Sequence, residues 1–171
     1  MKGYTTAEMK RFNYLISETN AVYHEAAQKL GLSDSIQQVL YTICNNGDSC
    51  LISDICRLSG ISKQTINSAL RKLEGEGIVY LEASDGRKKR VCLTERGKKL
   101  AEDTVVKLIE IENGLLDSWS REELEQYLGL TQRYLDSLRA KVQELRARGA
   151  AGSLADMEDS ADTAETGGAD S

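Results

Sequence analysis

Residues 51–77 read LISDICRLSGISKQTINSALRKLEGEG, and this stretch decides the fold. Its apolar residues recur at helical spacing in two short runs, which predicts two consecutive helices. We expect Ser53 to cap the first helix and Ser62 to cap the second, with Gly60 in the turn between them. Two helices joined by a short turn that contains glycine are typical of the helix-turn-helix motif.

The second of these helices carries an outward face of polar and basic side chains, with no acid before Glu74. The members of this face are Lys63, Gln64, Thr65, Asn67, Ser68, Arg71 and Lys72. First turns ordinarily favour acids because a helix N-terminus is partially positive, so their absence indicates that an anion meets this end. Lys and Arg suit guanine, Gln and Asn suit adenine, and the Thr methyl suits thymine. The segment from Ser62 to Lys72 is therefore predicted to read the major groove of DNA.

A predicted β-hairpin follows, with strands at residues 78–81 and 91–93 and a turn at residues 84–86. Four consecutive cations occupy residues 87–90 at its tip. We expect the tip to approach the minor groove, where negative potential favours an inserted arginine. Phosphate contacts are expected from Lys88, Lys89 and Arg90, together with Ser53 and Thr65. The alternative is that these cations only protect an edge strand from aggregation.

The remaining segments predict helices on both sides of this motif. The first helix starts in a capping box from Thr5 to Glu8, one long helix follows Thr94, and the last opens at Ser120. The fold class is mainly α with a small β-wing. We expect an N-terminal dimerisation helix (residues 1–31), a winged helix-turn-helix domain (32–97), C-terminal dimerisation helices (98–148) and a disordered acidic tail (149–171).

Charge is distributed unevenly along the chain. The net charge is −5, yet residues 51–99 hold eleven bases and six acids, whereas residues 150–171 hold six acids and no base. This asymmetry indicates a module that faces a polyanion. Neither an apolar run long enough to span a membrane nor a secretory signal occurs, so we expect a cytosolic protein with mainly reduced cysteines.

Residues 51–100 resemble the MarR-type winged helix-turn-helix transcriptional regulators, and the flanking helices extend the resemblance over residues 5–146. Three short motifs carry it: Leu73-Glu74-x-x-Gly77-Ile78, Asp85-Gly86-Arg87, and Leu93-Thr94-x-x-Gly97-x-x-Leu100. The resemblance implies a homodimer that binds a pseudo-palindromic operator, usually as a repressor. It also implies that Arg87 is the wing-tip residue in the minor groove and that Asp85 buttresses the wing. The acidic tail is not part of the family pattern.

The resemblance further implies an inducer pocket between the dimer helices and the winged domain. Tyr14, Tyr23, His24 and Tyr41 are the candidate residues, since they offer ring faces and hydroxyls to a small aromatic acid. Aromatic residues at helical spacing are also common in cores, so core packing is the alternative for each of them.

Other chemistry finds little support in the sequence. Cys44, Cys50 and Cys56 are spaced C-x5-C-x5-C, which is not zinc-finger spacing, and Cys92 is distant. Cys56 is a candidate redox residue because Arg57 follows it, although small core residues are the simpler interpretation of the cysteines. We expect no metal, no cofactor and no enzyme activity. The leading hypothesis is a DNA-binding regulator, and its rival is a winged-helix module that binds proteins.

Overall fold

The structure, a computed structural model, describes residues 5–84 and 88–162, with side chains described up to residue 145. Its elements are α1 (Ala7–Lys29), α2 (Asp34–Cys44), β1 (Ser49–Leu51), α3 (Ile52–Ser59), α4 (Lys63–Gly75), β2 (Val79–Ala83), β3 (Lys89–Leu93), α5 (Glu95–Asp103), α6 (Val105–Asp117) and α7 (Arg121–Asp162). The chain divides after Leu115 into two compact units. The mainly helical fold class with a small antiparallel wing is confirmed.

Local capping explains where most helices begin. The hydroxyls of Ser33, Ser62 and Thr94 accept backbone N–H bonds from the first turns of α2, α4 and α5, at 3.4, 3.1 and 3.0 Å. Two predicted caps are wrong. Helix α1 is capped by Thr6 rather than by Thr5, and α3 begins directly after β1, so that Ser53 lies inside its first turn.

The core of the first unit lies between α2, α3, α4 and the sheet. Its largest fully buried side chains include Leu40, Ile43, Ile55, Ile66 and Leu73. These residues recur at helical spacing on facing sides of the three helices, so each helix buries one stripe and leaves the other exposed. Packing against α2 and α3 therefore leaves the polar face of α4 exposed to solvent.

The three strands form an antiparallel sheet in the order β1-β3-β2. The predicted hairpin is confirmed as β2 and β3, with Leu81 opposite Val91. Strand β1 was not expected, and it pairs Cys50 with Val91 on the other side of β3. Three residues are too few to show a strand by alternation, so β1 owes its conformation to pairing with a distant strand.

Two glycine-containing motifs have structural causes. Gly77 has a φ of 66°, and the N–H of Ile78 donates to the carbonyl of Leu73 at 2.8 Å, which ends α4 in a left-handed turn. A Cβ on Gly97 would lie 2.0 Å from the carbonyl oxygen of Ile78. Only glycine therefore lets the start of α5 approach the end of α4 this closely.

The single long helix expected after Thr94 is wrong. Thr104 leaves helical geometry, with φ −129° and ψ −92°, and separates α5 from α6. Its buried hydroxyl donates to the carbonyl of Leu100 at 2.6 Å. A threonine that bonds to the backbone in this way can bend a helix, and here the bond occurs at the residue where α5 ends.

The second unit contains α7, which opens with the expected capping box. The N–H of Ser120 donates to Glu123 at 2.8 Å, and the N–H of Glu123 donates to the Ser120 hydroxyl at 3.2 Å. Just before the helix, Trp119 meets Tyr127 edge to face at 5.2 Å. Helix α7 ends at Asp162, so it includes residues that the sequence assigns to the tail, and residues 163–171 lie outside the described part.

Candidate nucleic-acid interface

Helix α4 presents the predicted polar face. Its members are exposed, apart from the half-buried Asn67, and its first turn contains no acid. The Ser62 hydroxyl contacts the Thr65 hydroxyl at 2.8 Å and also caps the helix, so these two side chains stiffen its N-terminal turn. This end of α4 therefore combines exposed donors with the positive pole of the helix.

A groove of about 570 Å³ lies beside this face, between α3, α4 and the start of β3. It is lined by Ile52, Ser53, Cys56, Lys63, Asn67, Lys88 and Lys89. The structure thus brings together five of the side chains predicted to contact DNA, and they come from three separate elements. The lining contains three cations and no acid. Its positive charge therefore favours an anion in the groove.

Strand alternation separates the cations of the wing. Lys89 shares a face of β3 with the buried Val91, whereas Arg90 points to the opposite face. The guanidinium of Arg90 donates to the Ser49 hydroxyl on β1 at 3.2 Å. Arg90 is therefore not among the residues that line the groove beside Lys88 and Lys89, and its predicted phosphate contact stays a prediction. The predicted wing-tip residues Asp85 and Arg87 lie outside the described residues.

Ion pairing distinguishes these cations from others on the chain. Lys29, Lys98 and Lys141 pair with acids on their own helices, at 2.7 to 2.9 Å. Within residues 5–84 and 88–145, no ion pair involves Lys63, Lys88 or Lys89. Their charge is therefore available to a partner.

The cysteines differ in burial. Burial raises the pKa of the Cys44 thiol to about 11, with a smaller contribution from Asp48, and burial also raises the pKa of Cys50 and Cys92. Cys56 is half-buried and lines the groove. The adjacent Arg57 pairs with Asp54 at 3.3 Å. Among the described residues, no group of three potential metal ligands is found.

The four candidate ligand residues are distributed over three places. Tyr23 and Tyr41 both donate hydrogen bonds to the carboxylate of Glu112 on α6. His24 lies 2.8 Å from Asp34 and 2.8 Å from the amide nitrogen of Gln28. Tyr14 is 61% exposed on α1.

Glu112 was missed in the sequence, although a signal for it exists. It follows the buried residues Val105 and Leu108 at helical spacing on α6, which places an acid on an apolar stripe. Burial raises the pKa of the Tyr41 phenol, and the hydrogen bond to Glu112 raises it further. Tyr41 consequently remains a protonated donor at neutral pH.

The part of the chain that the structure describes contains no helix long and apolar enough to cross a membrane.

Residues 30–90 match the model of the MarR family, and no curated protein matches the sequence. A MarR family regulator from Neisseria meningitidis is 18% identical, with a TM-score of 0.72 over 81% of this chain and 99% of that one.

Two further solved structures are similar. MepR of S. aureus in complex with DNA is 25% identical, with a TM-score of 0.58 over 80% of this chain and 99% of that one. BpsR of Bordetella bronchiseptica, whose DNA binding 6-hydroxynicotinic acid regulates, is 18% identical, with a TM-score of 0.55 over 72% and 98%. These comparisons confirm the resemblance: the chain carries the MarR family pattern in residues 30–90 and has the winged-helix fold of MarR family regulators.

Proposed function

We propose that the protein is a sequence-specific DNA-binding transcriptional regulator that acts in the cytoplasm as a homodimer. Helix α4 enters the major groove of the DNA. The sugar-phosphate backbone of the adjacent DNA strand lies in the protein groove between α3, α4 and β3. Arg87 and Asp85, at the wing tip, remain the residues expected at the minor groove.

The observation that carries this proposal is the lysine-lined groove. Lys63 comes from α4, while Lys88 and Lys89 come from the wing, and no acid lines the space between them. Like charges on separate elements repel one another unless a polyanion lies between them. A phosphodiester backbone supplies negative charge at regular spacing. The polar face of α4 lies beside the groove, where it can contact base edges.

Exposed apolar side chains support the homodimer. On α1 these include Leu15, Ile16 and Val22, and on α6 they include Ile111 and Leu115. On α7 the exposed apolar residues are Tyr127, Leu128, Leu130, Tyr134, Leu135, Leu138, Val142 and Leu145. Exposed apolar side chains of this kind mark an interface, and a second copy covers them without a further partner.

Repression and its release by a signal complete the proposal. The similarly folded BpsR responds to a small aromatic acid. In this chain such a ligand would take the place of the Glu112 carboxylate that now accepts from the hydroxyls of Tyr23 and Tyr41. Cys56 in the lysine-lined groove offers a site for an oxidative signal. The two signals are distinguished by measuring whether an aromatic acid or an oxidant releases the protein from DNA.

Binding to duplexes selected from a random pool tests the proposal. Lys63→Ala and Lys89→Ala should each lower the slope of log affinity against log salt by about 1, because each removes one phosphate contact. Lys29→Ala is the matched control, since its ammonium already pairs with Glu25. If the wild-type protein binds no duplex in a salt-dependent manner, the rival function as a protein-binding module is favoured.

A further inference from the structure

Three helices of the first unit meet at one carboxylate. Glu112 of α6 is half-buried, and its two oxygens accept hydrogen bonds from different elements. Tyr23 of α1 donates to Oε1 and Tyr41 of α2 donates to Oε2. We call Tyr23, Tyr41 and Glu112 the Glu112 latch.

The latch joins helices α1 and α2, which differ in how many of their side chains are buried. Helix α2 belongs to the winged core, with Val39, Leu40 and Ile43 fully buried, and it packs against α4. Helix α1 has 23 residues, of which only Ala27 is buried in the described chain. Apolar packing therefore fixes α2 firmly but contributes little to the position of α1.

A direct polar contact between α1 and α2 is weaker. His24 and Asp34 pair at 2.8 Å, but both side chains are more than half exposed. Exposed ion pairs contribute little to stability because water and salt screen them. In the latch the carboxylate of Glu112 is half-buried and its bond to Tyr41 is part-buried, while its bond to Tyr23, the one that reaches α1, is exposed and is strengthened by the charge of the carboxylate.

We propose that Glu112 is a positioning residue, whose latch fixes the predicted dimer helices α1 and α6 to the core that holds the recognition helix α4. This inference rests on the proposed function. In a homodimer, the path from one α4 to the other runs through this joint. When the latch hydrogen bonds are formed, the two recognition helices are held at one separation. They can then match half-sites at one spacing only.

The test compares latch variants with a control variant on α1. Tyr23→Phe and Tyr41→Phe each remove one latch hydrogen bond with little change in size. Glu112→Gln removes the charge and replaces one of the two acceptor oxygens by a donor amide. Tyr14→Phe removes the same hydroxyl from an exposed residue of α1 outside the latch. Dimer content and thermal unfolding identify any variant that fails to fold or associate.

The probes are three duplexes: the sequence selected with wild-type protein, and the same half-sites moved one base pair closer or farther apart. One base pair rotates a half-site by about 35°. Wild type and Tyr14→Phe should prefer the selected spacing by about fivefold or more, and latch variants should lose most of that preference. Folded, dimeric latch variants that retain the wild-type preference would overturn the proposal.

Hydrogen exchange provides a measurement that does not depend on DNA. Amides of α1 should exchange faster in all three latch variants than in Tyr14→Phe, because α1 is less firmly held. If wild type binds no duplex, the proposed function fails, and exchange alone decides the latch. Unchanged exchange in α1 would then refute it.

Discussion

The winged core buries its apolar residues, whereas helix α7 leaves most of its described apolar residues exposed. In the core, Ile55, Ile66 and Val91 come from two helices and a strand and are fully buried against each other. In α7 no described side chain up to residue 145 is buried, although leucines and tyrosines recur along it. A domain that buries its own stripes folds independently, whereas a helix with an uncovered stripe needs a partner.

The largest expected effect is on the core. Gly97→Ala should destabilise the winged core by about 3 kcal/mol or more, because its Cβ would lie 2.0 Å from the Ile78 carbonyl oxygen. Gly75→Ala at the end of α4 is the matched control, since a Cβ there meets nothing within 4 Å. Thermal unfolding measures both, and equal midpoints would contradict the close approach of α5 to Ile78.

A charge on α7 should affect association and leave the core folded. Leu135→Glu should raise the dimer dissociation constant by about tenfold or more, because a carboxylate without a partner would enter an apolar interface. Ser137→Glu adds the same charge two residues away, on the other side of the helix. Sedimentation measures the difference, and equal dissociation of both variants would contradict an interface on the leucine face.

The smallest expected effect concerns the first turn of α7. Hydrogen bonds from the backbone N–H and the side chain of Ser120 lower the pKa of Glu123 below the ordinary 4.5. The capping contribution is therefore present above pH 4.5 and is lost as pH falls through the lowered pKa. The protection of the amides in this turn, expressed relative to the intrinsic exchange rate at each pH, should fall at acidic pH in the wild type, with no such pH step in Glu123→Gln. An identical acid response in both proteins would contradict the role of Glu123.

Local features proved readable in the sequence. The caps at Ser33, Ser62, Thr94 and Ser120 depend on residues three positions apart, so their chemistry is visible without the fold. The two helices of residues 51–77, and the acid-free first turn of α4, were predicted on the same local basis. The polar face of α4 followed because helical periodicity assigns the opposite stripe to the core.

Features that depend on distant partners were missed or misplaced. Strand β1 exists through pairing with β3, and the break at Thr104 separates two helices that periodicity alone joins into one. Alternation alone separates Lys89 from Arg90, but the packing of the sheet decides which of the two faces the groove.

By itself, the sequence determined the starts of α4, α5 and α7, the hairpin and the basic, acid-free face of α4, because capping, turn chemistry and periodicity act over a few residues. Only the tertiary structure decided that Lys63, Lys88 and Lys89 share one groove and that Tyr23 and Tyr41 meet on Glu112. The physical reason is that these groups are brought together by packing of the core, whose contacts join residues far apart in the chain.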